Sequence, residues 1–346
     1  MKAREIAIRV DGCSQTGLGH ISRCLALAHA FRQQSSSVFF ILKGEENVGN
    51  LLAQHGFSHA RIDPLQDLEQ TSQILLQKRI AALVVDSYQI DTVYLERIRA
   101  SGALLVVLDD TGFHPGPADV ILNASTGAAS LAYPALPFAR LLVGPQYALL
   151  APEFALKPPP HHHAKVQRVL ITIGGSDPHD LFPSLIKWVH RILPDAAKDM
   201  VVGPFFRRCQ EIEDAIPTDR SRFYLHYAPA ELRGFMLEAD LAVCGGGQTA
   251  SELAATGTPA VAICFAENQL RHLRELEHAG TLVVAGQATD PELESSLVAQ
   301  LKELSEDCER RQRMGQRGLE VMDGHGAARA ANEILSLVSS KCEVLA

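Results

Sequence analysis

Short apolar segments rich in Val, Ile and Leu alternate with longer amphipathic segments along the whole chain, and no other feature narrows the choice of fold as much. Strands of a parallel sheet that helices cover on both faces appear in a sequence as short, nearly uninterrupted apolar runs. Such runs occupy residues 6–10, 38–42, 83–86, 104–108 and 120–122, and then 169–173, 200–202, 223–226, 241–244, 260–264 and 282–284. The sequence therefore predicts an α/β protein with two doubly wound, Rossmann-like domains.

A proline-rich segment separates the two sets of apolar runs in this chain of 346 residues, which has about twice the length of a typical domain. Residues 151–165 include three consecutive prolines at 158–160 and three consecutive histidines at 161–163. Prolines at this density cannot continue a helix or a central strand, so we predict a linker between domains of residues 1–150 and 166–346. Consecutive histidines in an irregular segment do not converge on one ion, so no metal site is inferred. Whether the helix after Gly326 packs back on the first domain stays open.

The charge balance and the cysteines exclude several classes of protein. Lys and Arg number 32 and Asp and Glu number 40, a formal net charge of -8, so no general basic surface is available for nucleic acid or anionic lipid. The apolar runs are far shorter than the roughly 18 residues that a membrane helix needs, and Lys2, Arg4 and Glu5 interrupt the apolar N-terminus that a signal peptide needs. We therefore expect a cytoplasmic protein without stable membrane insertion. The seven cysteines form no CxxC pair and are interpreted as reduced thiols.

The first predicted strand leads into a glycine-containing loop and then into a helix. Residues 9–20 read Arg-Val-Asp-Gly-Cys-Ser-Gln-Thr-Gly-Leu-Gly-His, and the amides and dipole at such a helix start favour an anion such as phosphate. The dinucleotide-binding fingerprint is absent because Ser22 stands at its third glycine and Lys43 stands where an acidic residue is required. No nicotinamide or flavin cofactor is expected. His20 is either a base that works near neutral pH or a residue that bonds a loop carbonyl.

Three carboxylates and a tyrosine follow other strands of the first half. Asp86 and the pair Asp109 and Asp110 end apolar runs, and Tyr88 comes two residues after Asp86. Ligands of doubly wound sheets bind beyond the carboxyl ends of the strands, so these side chains are candidates for a site. The commoner role of Asp at such positions is to cap a helix or bind backbone amides, and Tyr88 can equally pack in the core.

One glycine-rich segment follows the first strand of the second half. Residues 174–177 read Gly-Gly-Ser-Asp. Gly175 and Ser176 suit a close approach of the backbone to a phosphate, although a plain turn with a helix cap has the same composition.

A second glycine-rich segment carries a more specific signal. Residues 245–252 read Gly-Gly-Gly-Gln-Thr-Ala-Ser-Glu and lead into a helix. The glycines free the backbone to wrap an anion at the helix N-terminus, and Glu252 stands about one turn inside, where its carboxylate can accept two hydrogen bonds from a ribose diol. Capping of the helix is the alternative role of Glu252. After the next strand, the side-chain amides of Asn268 and Gln269 are candidates for binding sugar hydroxyls.

Taken together, these motifs resemble those of the GT-B glycosyltransferase clan over nearly the whole chain. The likeness is to the branch that holds the bacterial N-acetylglucosaminyltransferase of peptidoglycan lipid-intermediate synthesis and spore-coat polysaccharide proteins. Within it, the chain is most similar to the nucleotide-sugar hydrolases of pseudaminic acid biosynthesis, which act on UDP-2,4-diacetamido-2,4,6-trideoxy-β-L-altropyranose. The motifs that carry the likeness are Arg9-x-Asp11, Gly17-x-Gly19-His20 with Arg23-Cys24-Leu25, Val85-Asp86-Ser87-Tyr88, Asp109-Asp110, Leu122-Asn123, Gly144-x-x-Tyr147-Ala148-Leu149 with Glu153-Phe154, Gly174-Gly175-Ser176-Asp177 and Asn268-Gln269.

The resemblance implies a metal-independent, inverting hydrolase without a cofactor, in which two Rossmann-like domains face a cleft. The C-terminal domain is then expected to hold UDP, with the sugar in the cleft. Position by position, His20 matches the catalytic histidine of the family, residues 246–249 match its pyrophosphate loop, and Glu252 matches its ribose ligand. The UDP-binding set expected on this basis is Gly175, Ser176, Gly246, Gly247, Gln248, Thr249 and Glu252.

His20 is then expected to take a proton from the attacking water, and Asp11 or Asp109 is the candidate for orienting its imidazole. Tyr88, Asn268 and Gln269 are further candidates for contacting the substrate.

Two other functions fit the same motifs. One is a UDP-sugar glycosyltransferase of surface-polysaccharide synthesis, which passes the sugar to an acceptor hydroxyl, and the other is a non-catalytic UDP-sugar-binding protein. A transferase with a lipid acceptor needs an amphipathic apolar patch flanked by Lys and Arg, and the N-terminal half of the sequence contains no obvious segment of this kind.

Overall fold

The structure is a computed structural model that describes residues 5–12, 18–112, 116–131, 133, 139–159 and 163–344. The chain divides into two compact units. The first contains Met1–Pro152 together with Gly324–Ala346, and the second contains Glu153–Asp323. The division falls inside the proline-rich segment, and the last helix belongs to the first unit.

The first unit is built on a seven-stranded sheet whose described strand pairs are all parallel. Its strands are β1 (Glu5–Gly12), β2 (Ser37–Gly44), β3 (Ser58–Arg61), β4 (Ala82–Asp86), β5 (Leu104–Leu108), β6 (Val120–Asn123) and β7 (Arg140–Val143). Its first four helices are α1 (Gly19–Gln33), α2 (Glu46–Gln54), α3 (Asp67–Lys78) and α4 (Thr92–Arg99). The spatial order is β3-β2-β1-β4-β5-β6-β7, so the direction in which strands are added reverses between β1 and β4.

Two strands of this sheet lie outside the predicted apolar runs. β3 reads Ser-His-Ala-Arg and β7 reads Arg-Leu-Leu-Val, and both are edge strands of four residues. β3 lacks the continuous apolar run by which interior strands are recognised, whereas β7 contains such a run, residues 141–143, that was not predicted.

The second unit is built on a six-stranded parallel sheet with the order β10-β9-β8-β11-β12-β13. The strands are β8 (Arg168–Thr172), β9 (Ala197–Val202), β10 (Phe223–Tyr227), β11 (Leu241–Gly245), β12 (Ala260–Cys264) and β13 (Leu282–Gln287). The helices are α5 (Phe182–Ile192), α6 (Cys209–Ala215), α7 (Arg233–Glu238), α8 (Gln248–Thr256), α9 (Gln269–His278), α10 (Leu293–Glu306) and α11 (Cys308–Val321). All six predicted strands are present, and the reversal lies between β8 and β11.

Each sheet has its own apolar core against the covering helices. In the first unit, Leu83, Leu105 and Ile98 are among the fully buried members of one such cluster, and in the second unit Ile171 and Val243 are. Burial of an aliphatic side chain of this size contributes about 1.5–3 kcal/mol. The strands are therefore held rigidly, and the residues at their carboxyl ends are well positioned.

The last helix, α12 (Gly326–Val344), lies against α1 in the first unit. Gly326 permits a close approach, because a Cβ atom there would lie 2.3 Å from the carbonyl oxygen of Ala148. Further along the helix, Arg329 Nη1 donates to the carbonyl oxygen of Gln146 over 3.0 Å, and Lys341 Nζ donates to that of Ala103 over 3.2 Å. Contacts at both ends thus anchor α12 to the first unit.

Of the three consecutive histidines, His161 and His162 lie outside the described residues. The Nδ1 atom of His163 lies 2.8 Å from Oδ1 of Asp240, so this side chain is tied to the second unit. In the described part of the chain, no helix combines the length and the apolar character that crossing a membrane requires.

Candidate functional site

Each unit gathers polar residues at the point where its strand order reverses. In the first sheet, α1 begins after β1 and Asp86 is the last residue of the neighbouring β4. In the second sheet, residues 174–177 follow β8, and residues 246–247 follow the neighbouring β11. Chain connections leave toward opposite faces at such a reversal, and the crevice beyond the carboxyl ends of the strands is where open α/β sheets bind ligands. The topology therefore defines one candidate site in each unit.

The site of the first unit is centred on His20 and Asp86. His20 is the second residue of α1 and only 6% exposed, and Asp86 is completely buried. The two side chains meet with His20 Nδ1 at 2.6 Å from Asp86 Oδ1. For the other ring nitrogen, Nε2, the described residues offer no hydrogen-bond partner. Among the described residues, His20 is thus held through Nδ1 alone.

Asp86 accepts hydrogen bonds from three side chains of α1. Besides His20, Arg23 donates from Nη2 to Oδ1 over 2.5 Å and from Nε to Oδ2 over 2.6 Å, and Cys24 Sγ lies 3.4 Å from Oδ2. Burial by itself raises the pKa of Asp86, but the charge and hydrogen bonds of Arg23 and the hydrogen bond of His20 lower it well below its usual value. An ionised carboxylate only accepts hydrogen bonds, so Nδ1 of His20 carries a proton.

Tyr88 and Asp110 extend this cluster. The edge of the Tyr88 ring meets the His20 imidazole, with 4.8 Å between ring centroids and an interplanar angle of 84°. The Tyr88 hydroxyl donates to Oδ2 of Asp110 over 2.6 Å, and Nη1 of Arg23 donates to the same oxygen over 2.9 Å. Burial opposes ionisation of Asp110, whereas the Arg23 charge and the Tyr88 hydrogen bond favour it, and the pKa of Asp110 lies below its usual value. The structure therefore places the predicted residue Tyr88 beside His20.

The prediction that Asp11 or Asp109 orients His20 is wrong, because both carboxylates are engaged elsewhere. Asp11 forms an ion pair of 2.5 Å with the fully buried Arg9. Asp109 accepts hydrogen bonds from the backbone and hydroxyl of Thr111, at 2.9 and 2.8 Å, and from the hydroxyl of Tyr133 at 2.8 Å. Asp86 takes the orienting position instead.

Arg23 was not among the residues predicted for the site. A signal for it was present, because a residue three positions after His20 on a helix lies on the same helix face. An arginine there reaches the same strand end as the histidine.

The site of the second unit is formed by the loop before α8. Gly246 permits tight packing, since a Cβ atom there would lie 2.4 Å from Cδ1 of Leu273. No side chain caps the start of α8. Within the described part of the chain, the amide nitrogens of Gly246, Gly247 and Thr249 have no hydrogen-bond partner. Free amides at the positive end of a helix dipole form a binding site for an anion such as a phosphate.

Glu252 lies in the middle of α8. The helix begins at Gln248, so Glu252 is its fifth residue, beyond the first turn, and it takes no part in capping. The proposed capping role is therefore wrong. The side chain is partly buried, and no described residue forms a hydrogen bond or ion pair with its carboxyl group. Burial, and to a smaller extent the charge of Glu153, raises the pKa of Glu252 from 4.5 to about 7. A carboxyl left in this state is suited to accept hydrogen bonds from a ligand.

The remaining predicted residues surround this loop. Gly175 and Ser176 follow β8, where the backbone approaches closely, because a Cβ atom on Gly203 would lie 2.4 Å from the carbonyl oxygen of Gly174. Gln269 Oε1 accepts a hydrogen bond of 2.9 Å from the Phe265 amide, so that atom supports the loop rather than facing a ligand. The other three predicted residues lie at helix starts: Gln248 and Thr249 open α8, and Asn268 precedes α9.

The described residues contain no group of three His, Cys, Asp or Glu side chains arranged to hold a metal ion.

Comparison with known proteins supports a sugar-nucleotide context. Residues 209–333 match the family model described as glycosyltransferase family 28 C-terminal domain. The spore coat polysaccharide biosynthesis protein SpsG of Bacillus subtilis is 23% identical, with 94% of this chain and 96% of that protein covered. The pseudaminic acid cytidylyltransferase and UDP-2,4-diacetamido-2,4,6-trideoxy-beta-L-altropyranose hydrolase of Helicobacter pylori is 22% identical, with 81% of this chain and 48% of that protein covered. An uncharacterized protein of Methanocaldococcus jannaschii, MJ1062, is 24% identical, with 75% of this chain and 55% of that protein covered. The chain thus spans about half the length of the last two relatives.

Solved structures share the fold over nearly the whole chain. MurG of Acinetobacter baumannii has a TM-score of 0.67 at 15% identity, covering 96% of this chain and 99% of that one. MnaA of S. aureus, determined with UDP, has a TM-score of 0.69 at 14% identity, covering 97% of both chains. The protein therefore has a fold of the GT-B type, with two parallel-sheet α/β domains, as the sequence predicts.

Proposed function

We propose that this protein is a hydrolase that cleaves a UDP-linked diacetamido-trideoxy sugar into UDP and the free sugar, with inversion at the anomeric carbon, in pseudaminic acid biosynthesis. The observation that carries the proposal is the pair of His20 and Asp86, which holds an imidazole with its proton on Nδ1 and leaves Nε2 without a partner among the described residues. The named activity of the Helicobacter pylori relative supports the choice of substrate.

The second unit is proposed to bind the nucleotide. The free amides at the start of α8 and its helix dipole favour the diphosphate, and Gly175 and Ser176 lie across the strand reversal from them. Glu252, with a carboxyl group that has no protein partner among the described residues, is assigned to the two ribose hydroxyls.

The first unit is proposed to activate water. His20 Nε2 takes one proton from the water molecule while the water oxygen forms a bond to the anomeric carbon. The bond from that carbon to the diphosphate oxygen breaks, and its electron pair leaves with UDP. Asp86 stabilises the imidazolium that forms and holds it in place.

Charge that develops on the leaving diphosphate needs stabilisation. Preorganised amides and a helix dipole supply it electrostatically without a change in geometry during the reaction. The proposed reaction is therefore independent of a divalent metal ion, with the α8 amides in the role that such an ion has in other sugar-nucleotide enzymes.

A glycosyltransferase is the second candidate, and the match of residues 209–333 to glycosyltransferase family 28 favours it. Such an enzyme uses the same base to deprotonate an acceptor hydroxyl in place of water.

Mass spectrometry after incubation with a UDP-linked diacetamido sugar distinguishes the alternatives. A hydrolase produces UDP and free sugar without any acceptor. A transferase consumes the substrate only when an acceptor is added, and a binding protein leaves it intact; either of these results would overturn the proposal. Proton NMR of the product formed in the first minutes identifies its anomer, and retention of the substrate's configuration contradicts the inverting mechanism.

A further inference from the structure

Arg23 is the side chain that connects the parts of the first-unit site. It donates to both oxygens of Asp86, over 2.5 and 2.6 Å, and its third nitrogen donates to Asp110 over 2.9 Å. Asp86 is the last residue of β4, and Asp110 comes two residues after the neighbouring β5. Two carboxylates at neighbouring strand ends repel each other, and a planar guanidinium between them neutralises both in a fixed geometry.

The geometry points to a role for Arg23 in setting the state of the imidazole. We propose that Arg23 is a positioning residue, which holds both oxygens of Asp86 so that His20 keeps its proton on Nδ1 and presents Nε2 as the base. The inference rests on the proposed function only where it uses the rate of hydrolysis.

Two contacts support this role. Nη2 of Arg23 and Nδ1 of His20 converge on the same oxygen, Asp86 Oδ1, and the two nitrogens lie 3.1 Å apart. Arg23 only donates, so it could bond Nδ1 only if the ring proton lay on Nε2; the shorter 2.6 Å contact with the ionised Asp86 carboxylate, which only accepts, requires the proton on Nδ1 instead.

The other groups around Asp86 do not replace Arg23. Among the described residues, the titratable and charged groups in contact with Asp86 or with its partners are His20, Arg23 and Cys24 from α1, Tyr88 beyond β4, Asp110 beyond β5 and Asp11 on β1. Among these, Arg23 alone carries a permanent positive charge. Its removal leaves the imidazole as the nearest cation for Asp86, so the pair of His20 and Asp86 then holds an extra proton more readily.

The chain contains a matched control cluster with the same three residue types. In the second unit, Arg168 Nη1 donates to Asp199 Oδ2 over 2.6 Å, and His226 Nε2 lies 3.0 Å from Asp199 Oδ1. Asp199 is 2% exposed. Arg168 is the first residue of β8 and therefore lies at the amino end of its strand, away from the carboxyl ends that form the candidate site.

The experiment compares Arg23→Gln, Arg23→Lys and Arg168→Gln in the full chain. For Arg23→Gln we expect kcat to fall about tenfold or more, with KM and UDP affinity nearly unchanged, and the acidic limb of the kcat profile to move up by about one pH unit. Arg23→Lys keeps the charge but not the two-point contact, so it should restore the pH profile and only part of kcat. Arg168→Gln should lower the melting temperature and leave both kinetic quantities as in the wild type.

Nitrogen NMR of protein with labelled histidine reports the tautomer directly and needs no substrate. The His20 signals are identified by their loss in His20→Asn. The wild type should show the Nδ1-protonated form, and Arg23→Gln a mixture of forms.

Unchanged tautomer and pH profile in Arg23→Gln, with only a lowered melting temperature, would overturn the proposal. If the wild type does not hydrolyse UDP-sugars, the proposed function fails, while the tautomer measurement still decides the role of Arg23. If Arg23→Gln does not fold, Arg23→Lys decides: a pH profile displaced as expected for loss of the charge contradicts the proposal.

Discussion

The carboxyl group of Glu252 provides a sharp test of the proposed nucleotide site, because one substitution is expected to change stability and ligand binding in opposite directions. Burial and the charge of Glu153 raise the pKa of Glu252 from 4.5 to about 7. Glu252→Gln keeps the shape of the side chain and removes its charge. We expect this variant to be more stable than the wild type above neutral pH and to bind UDP more weakly.

The sign of the stability change follows from the linkage between proton binding and folding. A carboxyl group with a higher pKa in the folded chain than in the unfolded chain stabilises the fold below its unfolded pKa, and this contribution is lost as the pH rises through the folded pKa. For Glu252 this stabilising contribution is lost over the pH range from 4.5 to about 7. The resulting change in the free energy of unfolding is about 3 kcal/mol at most.

Because Glu252 is only partly buried, solvent screening reduces the expected effect to about 1–2 kcal/mol. For a unit of this size, that difference raises the Tm of Glu252→Gln above that of the wild type by about 2–8 °C at alkaline pH. Most of the gain should disappear at about pH 5, where the wild-type carboxyl group is protonated in the folded state.

The effect on UDP binding has the opposite sign. A hydrogen bond to a charged group contributes about 1.5–3 kcal/mol, which corresponds to roughly 10- to 150-fold in Kd. In the wild type, affinity should also fall as the pH drops below about 7, because Glu252 takes up a proton. The terminal phosphate of UDP titrates at about 6, but it does so for both proteins, so the difference between them isolates Glu252.

Calorimetric titration with UDP and calorimetric melting, each at about pH 5 and about pH 8.5, measure both quantities. Glu306→Gln is the control, since Glu306 is an exposed residue of α10 in the same unit and the substitution changes the same charge. Equal UDP affinity of Glu252→Gln and the wild type at the higher pH would remove Glu252 from the nucleotide site. An equal melting temperature there would refute the reasoning about its buried charge.

Three further predictions concern the reaction itself. His20→Asn should lower hydrolysis by about 10² or more while UDP affinity stays constant, since a general base contributes about that factor; retention of more than about a tenth of wild-type turnover contradicts the base assignment. Asp86→Asn should lower kcat by about 10² or more with little change in KM, because an amide no longer enforces the tautomer of the imidazole; steady-state kinetics check this, and an unchanged kcat refutes it. Hydrolysis should persist in excess EDTA, because amides rather than a cation are proposed to stabilise the diphosphate; loss of activity that magnesium restores is the contrary result.

The interior of the fold could be predicted from the sequence because parallel strands buried on both faces leave a distinctive apolar pattern. The edge strand β3 could not, since its sequence Ser-His-Ala-Arg has the composition of a loop. The start of α8 was also uncertain within a run of three glycines. That uncertainty of one or two residues decided whether Glu252 was a cap or a free carboxyl group within the helix.

The sequence predicts side chains that lie close together at neighbouring strand ends, but it does not predict which of them pair. Asp11, Asp86 and Asp109 each lie at or just beyond the carboxyl end of one of three adjacent strands, so a sequence pattern treats them alike. Hydrogen bonds discriminate over about one ångström, and contacts made elsewhere decide the outcome. Arg9 binds Asp11, and Thr111 and Tyr133 bind Asp109. Asp86 instead contacts His20, because α1 places the histidine beside it. No local sequence pattern shows this placement.

The two Arg–Asp–His clusters of the chain show why residue types alone do not define a catalytic site. Both contain a buried aspartate that binds an arginine and has a histidine nitrogen within 3.0 Å; Arg23 contacts both oxygens of Asp86, whereas Arg168 and His226 contact different oxygens of Asp199. In the other cluster, Arg168 is the first residue of β8 and Asp199 lies within β9, away from the carboxyl ends of the strands. The Arg23 cluster lies beyond the carboxyl end of β4 at the reversal of strand order, with a helix N-terminus beside it and one imidazole nitrogen without a partner among the described residues. The same three residue types therefore occur in both units, and the proposed role in proton transfer rests on the position of the Arg23 cluster in the sheet rather than on its composition.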